Sequence, residues 1–289
     1  MAEPASTEDG VSSFGPQIPL KRGRNLAQAV ITAAVLLVVA IACYVGGPTY
    51  FFWLVAVVVA LAQVELLEAV RRSGRGLVIA LGVVSTVALM VAAYFRPARP
   101  ELLIAVVGAS VVASFVAALR PSRGLSPASD VAWLVLALVW IGGGGAAAAS
   151  MLTLRSGLDL LIAHVLIVAL DDTGAYFAGV RFGRTKMAPS ISPAKSWEGF
   201  AGGFAAALVA GAIAGMVLDP LGLVHGLAIG AINALLAPVG DLAESMVKRE
   251  LGVKDSGRLL PGHGGFLDRL DAIIFCAPAV LVYLVVVVG

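Results

Sequence analysis

The sequence predicts an all-α polytopic membrane protein. Of its 289 residues, 60% are hydrophobic and 13% are charged, whereas a soluble domain has about 45–50% apolar and roughly 25% charged residues. Mean hydropathy is +0.97, so too little polar surface exists to cover the apolar bulk in water. The apolar residues gather into stretches of about 20, the length that crosses about 30 Å of hydrocarbon as a helix. Backbone groups in lipid must be satisfied within the segment, which selects helices. The period-2 alternation of an outer-membrane barrel is absent.

Residues 1–25 precede the first span. The opening stretch holds Glu3, Glu8, Asp9 and the prolines Pro4, Pro16 and Pro19 without an apolar core. It reads as a disordered cytoplasmic tail and not as a signal peptide. The run at 26–45 follows Lys21, Arg22 and Arg24 and lacks a clear small-x-small cleavage site, so it is a retained span. Further spans fall at 49–67, 76–95, 101–119, 130–151, 158–180, 199–218, 223–244 and 269–288, about nine transmembrane helices in all. Helices 1–5 make an N-terminal region, 26–151. Helices 6–9 make a second region, 152–289, which carries two long polar loops, 181–198 and 245–268.

Charge orients these spans. With the N-terminus cytoplasmic and the C-terminus outside, 17 of the 20 Lys and Arg fall in inside segments, leaving Arg96, Arg99 and Arg155 outside. The positive-inside rule selects that topology, and misplacing one span would scramble the partition. Both long polar loops then face the cytoplasm. In a chain rich in Ala, Val and Gly, this suits a plasma (inner) membrane protein whose chemistry faces the cytoplasm.

Several function classes drop out. A net charge of +2, with no basic run interleaved with aromatics, excludes nucleic acid as a partner. Cys43 and Cys276 sit inside apolar runs, which argues against a disulfide framework or a zinc site. Gly142 to Gly145 lie inside a span with no preceding strand and no Lys-Ser/Thr, so they mark tight helix packing and not a nucleotide loop. The pairs Gly199/Gly203, Gly211/Gly215 and Gly226/Gly230 are small-xxx-small spacings. They suit packing within one chain or in a homodimer.

The densest polar cluster runs from Gly240 to Asp271. On a helix, Asp241, Glu244, Ser245 and Lys248 fall at i, i+3, i+4 and i+7, one stripe on one face. Asp268 and Asp271 repeat the i, i+3 spacing where the last span begins. Between them lies a glycine-rich turn with His263. Carboxylates suit Mg²⁺, which takes oxygen ligands and keeps waters and substrate phosphates in its shell. Lys, Arg and glycine N–H groups suit phosphate oxygens. The bland alternative is a solvated loop with routine ion pairs. It fits single residues better than the whole cluster, because Asp241 directly follows an apolar run and ionisable groups at membrane depth are usually functional.

The run Ser245-x-x-Lys248-Arg249, Lys254-Asp255-x-Gly257, Leu260-Pro261-x-His263-Gly264-Gly265-x-x-Asp268-Arg269-x-Asp271 resembles the signature of the phosphatidate cytidylyltransferases, or CDP-diacylglycerol synthases. The resemblance extends upstream to Asp172-Thr173-Gly174-Ala175-Tyr176, to Phe182-Gly183-Arg184 and to Ser190 through Gly199, about residues 165–275 in all. The first 150 residues share only their helical, apolar character with that family.

The resemblance implies a reaction in which CTP and phosphatidic acid give CDP-diacylglycerol and pyrophosphate, with Mg²⁺ required and a second cation admissible. It assigns the metal to Asp241 and Asp268, and contacts with phosphate oxygens to Lys248, Arg249 and His263. Asp172, Ser192, Lys195, Ser196, Lys254, Asp255, Gly264, Gly265 and Arg269 are the candidates for holding nucleotide or lipid headgroup. Ser192-Pro193 also fits an ordinary helix start with Pro at its first position. Asp255 and Asp271 also fit helix caps or support of neighbouring ligands, and Trp197 fits an interfacial anchor. His164 and His225 have no assigned role.

Three rival readings predict other features. A secondary transporter would carry ionisable groups near mid-membrane and repeated halves. A CTP-dependent lipid-alcohol kinase would want a base beside a neutral nucleophile. A CDP-alcohol phosphatidyltransferase would show aspartates in an Asp-Gly-x-x-Ala-Arg context, which is missing.

Overall fold

A computed structural model describes residues 26–76, 78–119, 126–219, 221–253, 256–257 and 264–288. The N-terminal tail and the candidates Lys254, Asp255 and His263 lie outside the described residues. The helices in chain order are α1 (Leu26–Gly46), α2 (Pro48–Arg72), α3 (Ile79–Phe95) and α4 (Pro100–Ala118). Helix α5 (Pro127–Ala137) continues through a π-helical turn, Leu138–Gly142, into α6 (Gly143–Met151). Then come α7 (Gly157–Phe182), α8 (Trp197–Val217), α9 (Gly222–Glu250) and α10 (Leu267–Tyr283), which ends in a second π turn, Leu284–Val288. Proline opens α2, α4 and α5, where its missing N–H is one that has no intrahelical partner anyway.

Among the described residues, seven helices are long and apolar enough to cross a membrane. The segments Val30–Gly46 and Ile79–Phe95 are shorter apolar helices. The chain is an all-α polytopic membrane protein, and the apolar stretches expected from sequence coincide with these helices. Large side chains left on the outside, such as Val45, Ile104, Leu119 and Val224, are apolar, as a lipid-facing surface requires. The core is centred on α2, α3, α5, α6 and α10, around Phe52, Leu66, Met90, Ile141 and Ile274.

Glycine lets α7, α8 and α9 pack nearly backbone to backbone. A Cβ on Gly226 would lie 2.2 Å from the Gly211 carbonyl, and one on Gly215 would lie 2.3 Å from the Gly222 carbonyl. A Cβ on Gly203 would meet the Asp171 carbonyl of α7 at 2.8 Å. The small-xxx-small pairs are therefore used within the chain, and they supply no surface argument for a homodimer. Likewise Gly144 presses on α10, where a Cβ would stand 2.2 Å from the Ile274 carbonyl. Both cysteines are free.

Two expectations need correction. The segment 181–198 is not a plain loop, because β1 (Lys186–Ala188) and β2 (Ser192–Ser196) pair as a small antiparallel hairpin. Ser192-Pro193 therefore does not start a helix. Pairing keeps 192–196 extended, and a residue before proline is biased towards extended backbone in any case. The cap of α8 is Ser196, whose Oγ accepts from Gly199 N at 3.2 Å. The segment 245–268 is also shorter than expected as a loop, since α9 runs to Glu250 and α10 starts at Leu267.

Candidate active site

Successive antiparallel helices bring the end of α7, the start of α8, the end of α9 and the start of α10 to one end of the bundle. There they and the hairpin enclose a cavity of about 710 Å³. The α9–α10 wall is close because of Gly240, where a Cβ would lie 3.0 Å from Ala272 Cα. Asp241 follows Gly240, and Asp268 and Asp271 precede Ala272, so the crossing places these acids around one space. Pro238 stands one turn before Asp241 and cannot donate to the carbonyl four residues back, yet α9 continues through it.

The hairpin is fixed at its base by Glu198. Its carboxylate accepts from Arg184 N at 3.1 Å and from Thr185 N at 3.1 Å, and Trp197 N donates to Thr185 O at 3.0 Å. So held, β2 turns Lys195 towards α9, where its ammonium donates to Asp241 Oδ2. Lys248 donates to Glu244 Oε2 and, at 2.9 Å, to Asp268 Oδ1. Asp268 also accepts from Gly265 N at 2.9 Å through Oδ2 and from Ser256 N at 3.4 Å through Oδ1. Gly264 has φ +89°, a left-handed conformation that favours glycine, and it turns the chain so that Gly265 N meets that carboxylate.

Six carboxylates line the cavity among the described residues: Asp171, Asp172, Asp241, Glu244, Asp268 and Asp271. Lys195 and Arg269 are the basic side chains lining it. Apolar and aromatic side chains line it as well, among them Val168, Tyr176, Val180 and Phe200. Such a site offers anionic oxygen ligands, cations and hydrocarbon contact within one space.

The candidates read from sequence separate into groups. Asp172, Lys195, Ser196, Asp241, Asp268 and Arg269 line the cavity. Ser196 is nevertheless buried and engaged as the α8 cap. Lys248 bridges Glu244 and Asp268 from behind, and Gly264 and Gly265 order Asp268. Ser192 and Arg249 are not among the lining residues, and Arg249 is exposed on α9. Sequence reasoning gave no role to Asp171 or Glu244 and left Asp271 ambiguous. All three are at most 7% exposed and line the cavity. Their helical spacing from Asp268 and Asp241, and adjacency to Asp172, were signals enough.

The profile of the cytidylyltransferase family matches residues 27–287, so it also takes in the first 150 residues. A protein of Mycobacterium bovis named phosphatidate cytidylyltransferase is 34% identical over 277 residues, covering 91% of this chain and 90% of its own length. One of the same name from Mycobacterium leprae is 31% identical over 274 residues, 88% of this chain and 86% of that protein. The Bacillus subtilis protein of that name is 43% identical over 123 residues, 42% of this chain and 46% of its own. The chain belongs to the cytidylyltransferase family.

Proposed function

We propose that this chain is a phosphatidate cytidylyltransferase: it transfers the cytidylyl group of CTP to phosphatidic acid, giving CDP-diacylglycerol and pyrophosphate. The observation that carries the reading is one cavity lined by carboxylates, cations and apolar side chains together, in a chain of this family. A water-soluble nucleotide and a bilayer-held lipid can both reach such a space. The nucleophile is the lipid phosphate, which is already anionic near neutral pH because its second pKa is about 6. No strong general base is needed. The harder task is to bring two anions together and to stabilise the departing pyrophosphate.

A divalent cation fits the donor set. Glu244 Oε1 is buried without a hydrogen-bond partner among the described residues, and it stands in a cavity with more carboxylates than cations. Asp241 and Asp268 would hold Mg²⁺, with Glu244 beside them. Mg²⁺ takes oxygen ligands and keeps waters and substrate phosphates in its shell, so a few carboxylates are enough to hold it. When bound, Mg²⁺ supplies charge neutralisation at the phosphates. Lys195 and Arg269 line the space into which phosphate oxygens would come, and Lys248 orients Asp268 through a 2.9 Å hydrogen bond.

The reading includes nine spans in a plasma membrane, N-terminus and site cytoplasmic, C-terminus outside. Arg155→Cys and Glu250→Cys should then label from opposite faces, position 250 from the cytoplasm; the reverse pattern overturns the topology.

The deciding experiment supplies the purified protein in detergent micelles with labelled CTP, phosphatidic acid and Mg²⁺. CDP-diacylglycerol and pyrophosphate should appear together and vanish with EDTA. Conversion of CTP to CDP only in the presence of a lipid alcohol would replace this reading with the kinase, and a folded protein inert towards every lipid would reject it.

A further inference from the structure

We propose that Glu65, in the N-terminal half of the chain, is a positioning residue for the start of α10, where Asp268 sits. Glu65 lies in α2, where it is 4% exposed. A carboxylate at such depth is costly without a partner and is kept for a reason. Its Oε2 accepts from Leu267 N at 3.0 Å, across 202 residues of sequence. Leu267 is the first residue of α10, so its N–H is one of those a helix leaves without an intrahelical partner. An acceptor with negative charge also suits the positive end of the helix.

Two glycines close on the same carboxylate. A Cβ on Gly257 would lie 2.1 Å from Glu65 Oε1, and one on Gly265 would lie 2.5 Å from Oε2. Gly265 N in turn donates to Asp268 Oδ2, and Ser256 N to Asp268 Oδ1. Residues 256–257 and 264–267 are thus held between two carboxylates. Glu65 sits behind them and Asp268 in front, and the bare glycine backbone lets both approach. Moving Glu65 releases Leu267 N and Gly265 together, and with them the orientation of Asp268 towards Glu244 and Lys248. Glu65 does not line the cavity, so its action runs through Asp268.

The role of Asp268 in turnover rests on the function proposed above; the seating of the loop does not. The test compares the whole protein in micelles with its Glu65→Gln, Glu65→Ala and Glu68→Ala variants, by amide hydrogen exchange and by turnover of CTP with phosphatidic acid. Glu68, one turn further along α2, pairs with Arg71 and Arg72 and serves as the control. In Glu65→Ala, exchange should rise in the segment 256–268 while α7 and α8 keep their protection, and kcat should fall by about 10–100-fold, as when the partner that orients a ligand is lost. KM for phosphatidic acid should change far less. Glu65→Gln keeps an oxygen acceptor of the same length and should retain most of the protection and turnover. Unchanged exchange at 256–268 in both variants overturns the proposal, as does a loss of protection spread evenly over all helices. Wild-type protein that makes no CDP-diacylglycerol would sink the proposed reaction, and the exchange measurement would still decide the seat.

Discussion

Helix α7 borders two cavities of nearly equal volume, about 710 Å³ at its C-terminal end and about 650 Å³ along another face. The first is walled by Asp171 and Asp172 with the acids and cations of α9, α10 and the hairpin. The second lies between α1, α2, α7 and α8 and is lined by side chains such as Leu37, Leu166, Leu170 and Val217. Its polar groups are Tyr44 and Asp159, joined to each other by a 2.9 Å hydrogen bond. Volume therefore does not distinguish a site in this protein. What distinguishes the first cavity is ionisable groups brought together at one end of the bundle by close helix crossings. The second can take hydrocarbon but has nothing to hold a phosphate.

The sharpest way to break that contrast is to remove the charges at its centre. Asp241→Asn and Asp268→Asn each keep the size of the side chain and should lower turnover by at least about 100-fold, more than the loss of a ligand's supporting partner. Folding, read by size-exclusion behaviour and thermal unfolding in detergent, should persist. Near-normal turnover in both variants would remove these residues from the metal assignment.

A smaller effect, on stability, is expected at Lys248. Its ammonium serves Glu244, 3% exposed, and Asp268 at once. Lys248→Met would leave two carboxylates without their shared cation, and breaking a buried pair in this way costs about 3–5 kcal/mol. The unfolding midpoint should drop accordingly. Adding Glu244→Gln should restore part of the loss, because the second change removes one of the stranded charges. A Lys248→Met protein as stable as the parent would mean that water or another cation reaches these acids.

The helices were legible because apolar length alone marks a span, and the stripe from Asp241 to Lys248 was legible because helical spacing is fixed. The hairpin was not: its strands contain Lys, Ser and Pro without clean alternation, and they are held by Glu198 and by pairing that begins ten residues away. The Lys195–Asp241 pair joins two elements 46 residues apart, which no local pattern predicts. Asp171 and Asp172 are neighbours with opposite fates, Asp171 buried and Asp172 exposed. The close approach of α8 at Gly203 to Asp171 decides between them. Glu65 was missed, although an acid within a candidate membrane span is itself a signal.

The smallest effect belongs to the apolar cavity. Tyr44 is 44% exposed, and its hydroxyl donates to an Asp159 carboxylate that is itself reached from outside the core. A hydrogen bond to a charged acceptor is worth more than a neutral one, but an exposed pair loses most of that to competing solvent. Tyr44→Phe removes one oxygen and leaves the ring in place, so stability should change by no more than about 0.5 kcal/mol. Turnover should stay as in the parent, because Tyr44 and its partner Asp159 do not line the cavity that holds the carboxylates. If turnover with phosphatidic acid fell while the unfolding midpoint held, the two cavities would be functionally joined through α7. The contrast between them would then be one of role within a single lipid-binding path, and not of site against packing.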